Sequence, residues 1–357
     1  MQTQALQIYA GKTALKAIQD KGFTADMFSA FMGASGGPKW FVLSGLDKIM
    51  FSEFFAKAEQ KIDIIGTSAG AFRSACFAQT DTKTAIERLA DKYSTTIYSE
   101  KPSAREITQK SRDLLNHVLD EAGTHQLLSN NKRAVHIIAS RCHGLMKSEN
   151  RIVQLAGLGL ANLRNLRSRK ALEKSFTRSV FYSGDIPLNF DEKPHISTEY
   201  IKLSNKNVHD ALVASGSIPI IIEGISDIAG ASKGVFRDGG ILDYHFDMKI
   251  NTERLVLYPH FFKTPIPGWF DKHLKHRICR QDNYDNVVLL APSDEFVASL
   301  PYGKISDRKD FTRMPPAQRI PYWQQVIQES ERLAESFFAQ IESENIANFV
   351  QAIDLKR

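Results

Sequence analysis

Short apolar segments alternate with longer helical patterns along most of the chain. The short segments have strand length and are rich in β-branched residues; they cover residues 30–32, 62–65, 135–139, 179–182, 200–203, 255–258 and 287–291. Helical patterns over 41–59 and 69–79 follow the first two of them. Strands that alternate with helices are typical of layered α/β proteins. The pattern therefore predicts an α/β fold with a mostly parallel central sheet flanked by helices.

The chain carries no internal repeat, low-complexity tract or Gly/Ser linker, so we expect a single domain over residues 1–357. Helical insertions are predicted at about 80–130 and 145–175. A C-terminal helix is predicted at about 322–350, where Val326, Leu333, Phe337 and Ile341 fall on one face. We interpret this helix as a packing element.

Composition narrows the class of protein. Hydrophobic residues make up 43% and charged residues 24%, the mix of a globular protein with a large core. No apolar stretch approaches the roughly 20 residues that span a bilayer, and residues 1–12 lack the basic cap and apolar core of a secretory signal. The three cysteines are too few and too scattered for a disulfide framework. We expect a cytoplasmic location.

A candidate nucleophile follows the second apolar segment. The sequence Gly66-Thr67-Ser68-Ala69-Gly70 fits the G-x-S-x-G pattern, directly after a predicted strand and directly before a helix of small residues. In this pattern the serine occupies a sharp strand-to-helix turn, and the elbow glycines Gly66 and Gly70 avoid collisions there. The turn exposes the hydroxyl at the positive end of the helix dipole, where an oxyanion is also stabilised.

Two further glycine-rich turns are candidates for the rest of the site. The loop at 33–40 reads Gly-Ala-Ser-Gly-Gly-Pro-Lys-Trp, and its backbone N–H groups are candidates to receive an anion. The segment 236–240 places Asp238 before two glycines, which leave room for another group to approach. Taken singly, an ordinary tight turn and an Asp-Gly hairpin explain these two segments better than a functional role does.

The ordered set of segments resembles the patatin-like phospholipase family. It comprises Ser-Gly-Gly-Pro-Lys at 35–39, Gly-Thr-Ser-Ala-Gly-Ala at 66–71, Ala-Ser-Gly-Ser-Ile-Pro at 214–219 and Asp-Gly-Gly at 238–240. The likeness covers about 32–243. It departs from the family in the oxyanion loop, where Ser35 replaces the first glycine, Lys39 the usual arginine and Trp40 the last glycine. The last hundred residues resemble no family that we can name.

The resemblance implies a three-layer patatin-like fold and a serine acyl-ester hydrolase that acts on lipids. Ser68 is then the nucleophile and Asp238 its partner, in a Ser-Asp dyad without histidine. The oxyanion hole falls on Ser35, Gly36, Gly37 and Ala69, and Lys39 becomes a candidate head-group contact. The implied substrate is a phospholipid or another lipid ester, cleaved by a phospholipase A or lysophospholipase type of reaction without metal or organic cofactor. The segment at 214–219 is expected to have a structural role beside the site.

A histidine-dependent esterase remains an alternative. A Ser-Asp-His triad of the α/β-hydrolase type runs in that chain order, and four histidines follow Asp238: His245, His260, His273 and His276. His273, His276 and Cys279 also lie at three-residue steps that suit a metal. Since no fourth ligand accompanies them, we interpret them as one mixed helix face.

Positive charge is concentrated in one segment. Residues 131–180 hold eleven Lys or Arg against two acids, a net charge of +9 in a chain of net charge +6. On a helical projection of 151–170, Ile152, Leu155, Leu163 and Leu166 share one side, flanked by Arg164, Arg167 and Arg169. An amphipathic helix packed on the domain is the simpler interpretation; contact with an anionic membrane surface, or a lid over the site, is the other. A non-catalytic protein that binds a membrane or partner through 131–180 therefore stays an alternative function. Nucleic acid is not an expected partner, because no aromatic platform or known motif accompanies the charge.

Overall fold

A computed structural model describes residues 4–355, and it contains an extended mixed sheet. Its strands and those of a small second sheet are β1 (Leu6–Ala10), β2 (Phe28–Gly33), β3 (Ile62–Thr67), β4 (Arg133–Cys142), β5 (Phe176–Tyr182), β6 (Phe190–Asp191), β7 (Thr198–Lys202), β8 (Ile225–Ser226), β9 (Val235–Asp238), β10 (Lys249–Ile250), β11 (Leu255–Pro259), β12 (Val287–Pro292) and β13 (Val350–Ala352). Strands β6 and β10 form the small sheet.

Helices flank the large sheet. They are α1 (Lys12–Lys21), α2 (Ser44–Ile49), α3 (Ala69–Phe77), α4 (Thr82–Ser94), α5 (Ala104–Val118), α6 (Glu121–Ser129), α7 (Arg151–Arg167), α8 (Val208–Ser215), α9 (Asp294–Ser299), α10 (Asp310–Arg313), α11 (Pro316–Glu329) and α12 (Glu331–Ile341). Every apolar segment that the sequence pattern marked as a strand coincides with a strand of this sheet, except that Leu203 lies just beyond the end of β7. The predicted α/β fold with a mostly parallel sheet and flanking helices is confirmed.

The middle of the sheet is parallel. Its order is β13-β1-β12-β11-β2-β3-β4-β5-β7, and the neighbours from β12 to β4 all run in one direction. Parallel strands buried on both faces read as continuous apolar runs, which is why 287–292 is buried at every position. The carboxyl ends of β2 and β3 therefore meet at one edge, where the glycine loop and the serine turn begin.

The order of strands around β4 brings distant parts of the chain together. Strand β5 pairs with His136 to Cys142 along one side of β4. On the other side β3 pairs up to Ile138, and β9, running the opposite way, continues from Ala139. The ends of β3 and β9 thus face each other at adjacent positions of β4. The turn that follows β3 meets the residue that ends β9, which is Asp238.

The predicted C-terminal helix over 322–350 is wrong in its extent. Helix α11 begins at Pro316, a favourable first helical position for proline, and the helical run breaks at Ser330. The Ser330 hydroxyl accepts the backbone N–H of Gly45 at 2.8 Å and donates to the carbonyl of Ile327, so α2 packs directly against the break. Helix α12 then ends at Ile341, and the chain returns to the sheet as β13. The packing role is nevertheless observed: Val326, Leu333 and Phe337 are fully buried.

The predicted helix over 41–59 is irregular. Short 3-10 turns precede and follow α2, and a π-helical turn covers Met50–Phe54. This turn lets Phe51 and Phe54 both reach the core, where Phe51 stacks on Phe77 and Phe54 meets Phe337 edge to face. Aromatic packing thus decides the local geometry.

Helix α7 packs on the domain through the side opposite to its large apolar residues. Its buried residues are Gln154, Gly157, Ala161 and Asn165. Ile152, Leu155, Leu163 and Leu166, predicted to be the packing side, are exposed by 78%, 51%, 65% and 49%. The expectation that these four side chains pack on the domain is wrong. The lack of a side chain at Gly157 and the small side chain of Ala161 let the helix backbone approach its neighbours closely, and Met146 and Leu145 lie against Gly157.

All three cysteines, Cys76, Cys142 and Cys279, are buried and form no disulfide bond. Burial raises the pKa of both Cys76 and Cys142 above the ordinary thiol value. Within residues 4–355, no helix is both long enough and apolar enough to cross a bilayer.

Candidate active site

Ser68 occupies a strained turn between β3 and α3. Its backbone angles are φ 52° and ψ −122°, a region that non-glycine residues rarely adopt. The turn is tight because α3 begins against β2: a side chain on Gly70 would lie 1.9 Å from the carbonyl oxygen of Gly33. A side chain on Gly66 would lie 2.5 Å from the Gly70 carbonyl oxygen. Both elbow glycines are therefore required by contact, as the motif predicts.

The Ser68 hydroxyl donates a hydrogen bond to Asp238 Oδ2 at 2.8 Å. The other carboxylate oxygen accepts the backbone N–H of Gly240 at 2.7 Å, which fixes the orientation of the carboxylate. Both side chains are almost completely buried, with Ser68 and Asp238 each 7% exposed. A side chain on Gly239 would lie 2.1 Å from the carbonyl oxygen of Ile138, so the Asp-Gly-Gly sequence is what lets this turn lie against β4.

Burial makes Asp238 a better base than an ordinary carboxylate. Desolvation raises its pKa to about 6, while the hydrogen bonds from Ser68 and Gly240 and the charges of Arg308 and Lys272 act in the opposite direction. A carboxylate with a pKa near neutrality accepts a hydroxyl proton more readily, because the pKa of the base is closer to the working pH.

Ser215 supports the backbone of the serine turn. Its hydroxyl accepts the backbone N–H of Ser68 at 2.9 Å and donates to the carbonyl of Ile138 at 2.6 Å. Nearby, the carbonyl of Ser217 accepts the backbone N–H of Asp238 at 3.0 Å. The Ala-Ser-Gly-Ser-Ile-Pro segment thus holds the backbone of both Ser68 and Asp238. The sequence pointed to the segment but did not indicate which of its groups would act.

The glycine loop offers donors for an oxyanion. Gly37 and Ala69 line the same cavity as Ser68. The N–H groups of Gly37 and Ala69 open helical turns and have no intrahelical acceptor. Within residues 4–355, the N–H of Gly36 makes no hydrogen bond either. Gly37 adopts φ 55°, and the ring of Phe261 fills the space where a Gly36 side chain would lie.

Ser35 differs from the predicted donors. Its backbone N–H donates to the carbonyl of Tyr244 at 3.1 Å, so it is engaged within the protein. Its hydroxyl donates to Thr67 Oγ1 at 2.9 Å, since the Thr67 hydroxyl itself donates to the carbonyl of Asp243 at 3.1 Å. Ser35 therefore ties the glycine loop to the serine turn and to residues 243 and 244, which follow the Asp-Gly-Gly turn, and its N–H and hydroxyl are not placed as oxyanion donors.

Lys39 and Trp40, the departures from the family pattern, have defined places. Lys39 forms an ion pair with Asp307 and is absent from the cavity lining, which argues against the predicted head-group contact. Trp40 is fully buried, lines the cavity and packs on Phe41 with ring centroids 5.1 Å apart.

A cavity of about 960 Å³ opens beside Ser68. Its walls are largely apolar and include Phe72, Leu89, Ile107, Leu114 and Val213. Much of the remaining wall comes from the segment 308–319, which belongs to the C-terminal hundred residues. Sequence reasoning gave these residues no role in the site, because no local pattern marks a chain segment that packs against a remote cavity.

Positive charge accompanies the apolar walls. Lys110, Arg151, Arg308 and Lys309 are among the cationic residues that line the cavity. Lys272 lies close to the ring of Tyr244, with its ammonium 3.8 Å from the ring centroid. Desolvation, followed by the charges of Lys39 and Arg308, lowers the pKa of Lys272 to about 7. The neighbourhood of Asp238 is therefore cationic.

The four histidines that follow Asp238 in the sequence either accept hydrogen bonds from other backbone groups or are exposed. His245 and His260 are buried, and their Nδ1 atoms accept the backbone N–H groups of Ile266 and Phe262, each at 2.9 Å. Desolvation lowers the pKa of His260 to about 3. His273 and His276 are exposed. Because the Ser68 hydroxyl donates directly to Asp238, a carboxylate stands where a triad requires a histidine.

The predicted helix face at 273–279 is wrong, because these residues form turns and irregular structure. Cys279 is buried whereas His273 and His276 face solvent, so the three side chains do not converge. Across the described part of the chain, no group of three His, Cys, Asp or Glu side chains is arranged to hold a metal ion.

Comparisons with known proteins found a solved structure of low similarity. No protein-family model and no curated protein sequence matches it. The crystal structure of VipD from Legionella pneumophila is similar, with a TM-score of 0.29 and 13% identity over 72% of this chain and 53% of that chain. The chain thus spans about half the length of that protein.

Proposed function

We propose that this protein is a serine hydrolase of lipid acyl esters, with Ser68 as nucleophile and Asp238 as its base. The observation that carries the proposal is the 2.8 Å hydrogen bond from the Ser68 hydroxyl to a buried carboxylate, at the wall of a large apolar cavity. Acyl transfer requires a nucleophile, a base bonded to it and backbone donors beside it; Ser68, Gly37 and Ala69 line the cavity, and Asp238 is bonded to Ser68.

The reaction runs through an acyl-enzyme. Asp238 takes the hydroxyl proton as Ser68 Oγ attacks the ester carbonyl, and the N–H groups of Gly36, Gly37 and Ala69 stabilise the resulting oxyanion. Collapse of this intermediate breaks the bond to the alcohol, which leaves with the proton held by Asp238. A water molecule then attacks the Ser68 ester, gives one proton to Asp238, and releases the fatty acid as the proton returns to Ser68.

The walls of the cavity favour a lipid substrate. Apolar side chains surround space large enough for an acyl chain, and arginines and lysines line the same space. An acyl ester that also carries an anionic group, such as a phospholipid or lysophospholipid, matches both features. A phospholipase A or lysophospholipase type of reaction is therefore the activity that we propose.

Substitution of the two dyad residues tests this function. We expect Ser68→Ala and Asp238→Asn each to lower ester turnover by about 10³-fold or more, because each removes a group that bonds to the reacting atoms or takes their proton. The measurement is release of free fatty acid from phosphatidylcholine, phosphatidylserine and lysophospholipid, followed by mass spectrometry. A fluorophosphonate probe should label the wild type and not Ser68→Ala.

The control is Ser129→Ala, at an exposed serine on α6, which should keep full turnover and probe labelling. Undiminished hydrolysis by Ser68→Ala would overturn the proposal. A wild-type protein that neither hydrolyses any ester nor reacts with the probe would point instead to a non-catalytic binding protein. Loss of turnover on substituting His245 or His260, with the fold intact, would favour the triad.

A further inference from the structure

Helix α7 presents an apolar stripe to solvent. Ile152, Leu155, Leu163 and Leu166 recur at spacings of three, eight and three residues, which places them on one side of a helix. All four are exposed by 49% or more, and Leu160 beside them is exposed by 40%. Isolated exposed leucines are common, whereas a continuous stripe of them on one helix indicates a surface that binds something.

The helix is held in this orientation by its polar side. Asn150 caps its first turn by accepting the N–H groups of Ile152 and Val153. On the buried side, Gln154 donates to the carbonyl of Ser148 at 2.8 Å and Asn165 donates to Asp271 at 2.8 Å. Turning the leucines inward would break these bonds and expose Asn165, which is fully buried. The outward direction of the stripe is therefore fixed by the fold.

Positive charge borders the stripe. Arg151 and Arg167 are exposed at its two ends, and Lys147, Lys170 and Lys174 are exposed on the adjoining turns. Within residues 4–355, none of these five basic side chains forms an ion pair with an acidic side chain. The neighbouring acids are engaged: Glu149 pairs with Arg237, and Glu173 accepts from the backbone of Ser197.

We propose that this surface of α7 docks on an anionic phospholipid bilayer. An exposed apolar stripe with basic residues around it is the arrangement of helices that lie in the plane of a membrane interface. The leucines enter the boundary between head groups and acyl chains, and the basic residues contact lipid phosphates. A second copy of the chain is a poorer occupant, because a symmetric pairing of this surface would set its cations against one another.

The surface adjoins the candidate active site. Arg151 at the start of α7 lines the cavity, and the side chain of Gln154 accepts the backbone N–H of Ile220. Ile220 and its neighbour Ile221 also line the cavity, and Ile221 is 38% exposed. Docking through α7 would therefore bring the mouth of the cavity to the bilayer. The docking proposal rests on α7 alone and does not require catalysis.

Vesicle flotation tests the proposal. Ser68→Ala protein is mixed with phosphatidylcholine vesicles that either contain or lack phosphatidylserine, so that no lipid is consumed. We expect the protein to bind the anionic vesicles. Binding should be weaker by about tenfold or more on neutral vesicles, and likewise on anionic vesicles at high salt. Leu155→Glu with Leu163→Glu should lower binding to the anionic vesicles by about tenfold or more, because both charges enter the apolar stripe.

Ile186→Glu is the matched control, because Ile186 is also exposed, at 72%, but lies away from α7. Its neighbour Gly184 packs against Ala134 and Lys61, at the opposite edge of the sheet. It should bind as Ser68→Ala alone does. Arg167→Gln with Lys170→Gln should reduce the preference for anionic vesicles, whereas Lys132→Gln should not. Thermal unfolding of each variant checks that the fold is intact.

Equal binding by the stripe variant and its parent would overturn the proposal, as would failure of the parent to bind either vesicle. A concentration-dependent dimer in sedimentation velocity that the stripe variant abolishes would assign the surface to a second copy instead. Vesicle binding is measured without turnover. The result can therefore be interpreted even if the protein proves not to be a hydrolase.

Discussion

At the scale of single residues, Asp238 combines two opposing demands. The base that we propose must be charged to accept a proton, yet the burial of Asp238 beside Ser68 disfavours the charge and raises its pKa to about 6. The hydrogen bonds from Ser68 and Gly240 recover part of that cost. We therefore expect the site to be less stable than the same site with a neutral side chain, a cost that is common where function requires a buried charge.

Activity should follow the ionisation of Asp238. We expect kcat/KM for a soluble ester to rise with pH along a single ionisation with an apparent pKa of about 6. The check is a pH profile measured with a substrate that does not itself titrate in this range. An acid limb centred near the ordinary aspartate value, about 4, would contradict the assignment of Asp238 as a buried base.

Stability should show the same ionisation with the opposite sign. Because the pKa is raised on folding, the folded state loses stability as pH rises from about 4 through about 6. Asp238→Asn avoids this loss, so we expect it to exceed the wild type by about 1–3 kcal/mol in free energy of unfolding at about pH 8 and by less at about pH 4. Urea unfolding at both pH values measures the difference.

The matched control for that comparison is Asp282→Asn, at a carboxylate whose side chain is 81% exposed. It should leave the free energy of unfolding within about 0.5 kcal/mol of the wild type at both pH values. A gain from Asp238→Asn that is the same at the two pH values would mean that packing, and not charge, is responsible.

At the scale of elements, the serine turn depends on how closely α3 approaches β2. Gly33 at the end of β2 and Gly70 in the first turn of α3 touch through their backbones, with no room for a side chain between them. This contact fixes the turn that carries Ser68, and with it the direction in which the Ser68 hydroxyl points. Beneath it, Arg73 of α3 forms a fully buried bidentate ion pair with Asp47 of α2, at 2.7 and 2.6 Å.

Gly70→Ala should therefore damage both fold and site. The added methyl would lie 1.9 Å from the carbonyl oxygen of Gly33, so strand and helix must separate. We expect a loss of about 3 kcal/mol or more in free energy of unfolding, together with loss of probe labelling at Ser68. Gly159→Ala in α7 is the control, because no atom lies within 4 Å of the added methyl.

Gly159→Ala should stabilise the protein by about 0.5–1 kcal/mol, the ordinary gain for removing glycine from an open helix position. The two glycine substitutions are compared by thermal and urea unfolding. If Gly70→Ala unfolds at the same denaturant concentration as Gly159→Ala, the close approach of α3 and β2 does not constrain the protein as we describe.

Local patterns predicted the elements better than their arrangement. Apolar, β-branched runs identify buried strands because a strand in the middle of a parallel sheet is covered on both faces. The G-x-S-x-G turn can be recognised because its spacing is local, although only Gly66 is required by a neighbour within a few residues and Gly70 is required by Gly33 of β2. The meeting of Ser68 with Asp238 depends on β9 extending the line of β3 along β4, and no local pattern carries that information. Only the family resemblance indicated it.

The orientation of α7 shows a second limit of pattern reading. A helical projection identifies the apolar side, but burial is decided by which side fits its neighbours. Gly157 and Ala161 fit closely against Leu145 and Met146, and Asn165 finds a partner in Asp271. The long prediction at 322–350 failed for a related reason, since the break at Ser330 is made by Gly45, nearly three hundred residues away in sequence.

At the scale of the whole molecule, distant segments supply charge to one cavity. Arg151 comes from the basic segment and Arg308 from the C-terminal region, and both line the space beside Ser68. Of the acids nearby, Glu100 lines the cavity together with six Lys or Arg residues, and Asp307, next to Arg308 in sequence, pairs with Lys39. The cavity thus remains cationic although the chain outside residues 131–180 is slightly acidic.

Arg308→Gln should separate charge recognition from chemistry. We expect KM for an anionic phospholipid ester to rise by about threefold to tenfold, with little change for an uncharged monoacylglycerol. Because the charge of Arg308 lowers the pKa of Asp238, the acid limb of the pH profile should also move to higher pH. Arg332→Gln, an exposed arginine on α12, is the control.

Equal effects of Arg308→Gln on the charged and the uncharged ester, with no movement of the acid limb, would remove Arg308 from substrate recognition. Steady-state kinetics on both esters at several pH values decide between these results.

The burial of all three native thiols has a practical consequence. Cys76, Cys142 and Cys279 are shielded from reagents, and a maleimide dye should therefore spare them in the folded protein. A cysteine introduced in place of Leu163 would then carry the fluorophore by itself. Its emission colour would report directly whether that helix sits in water or in lipid, without any native residue having to be replaced first.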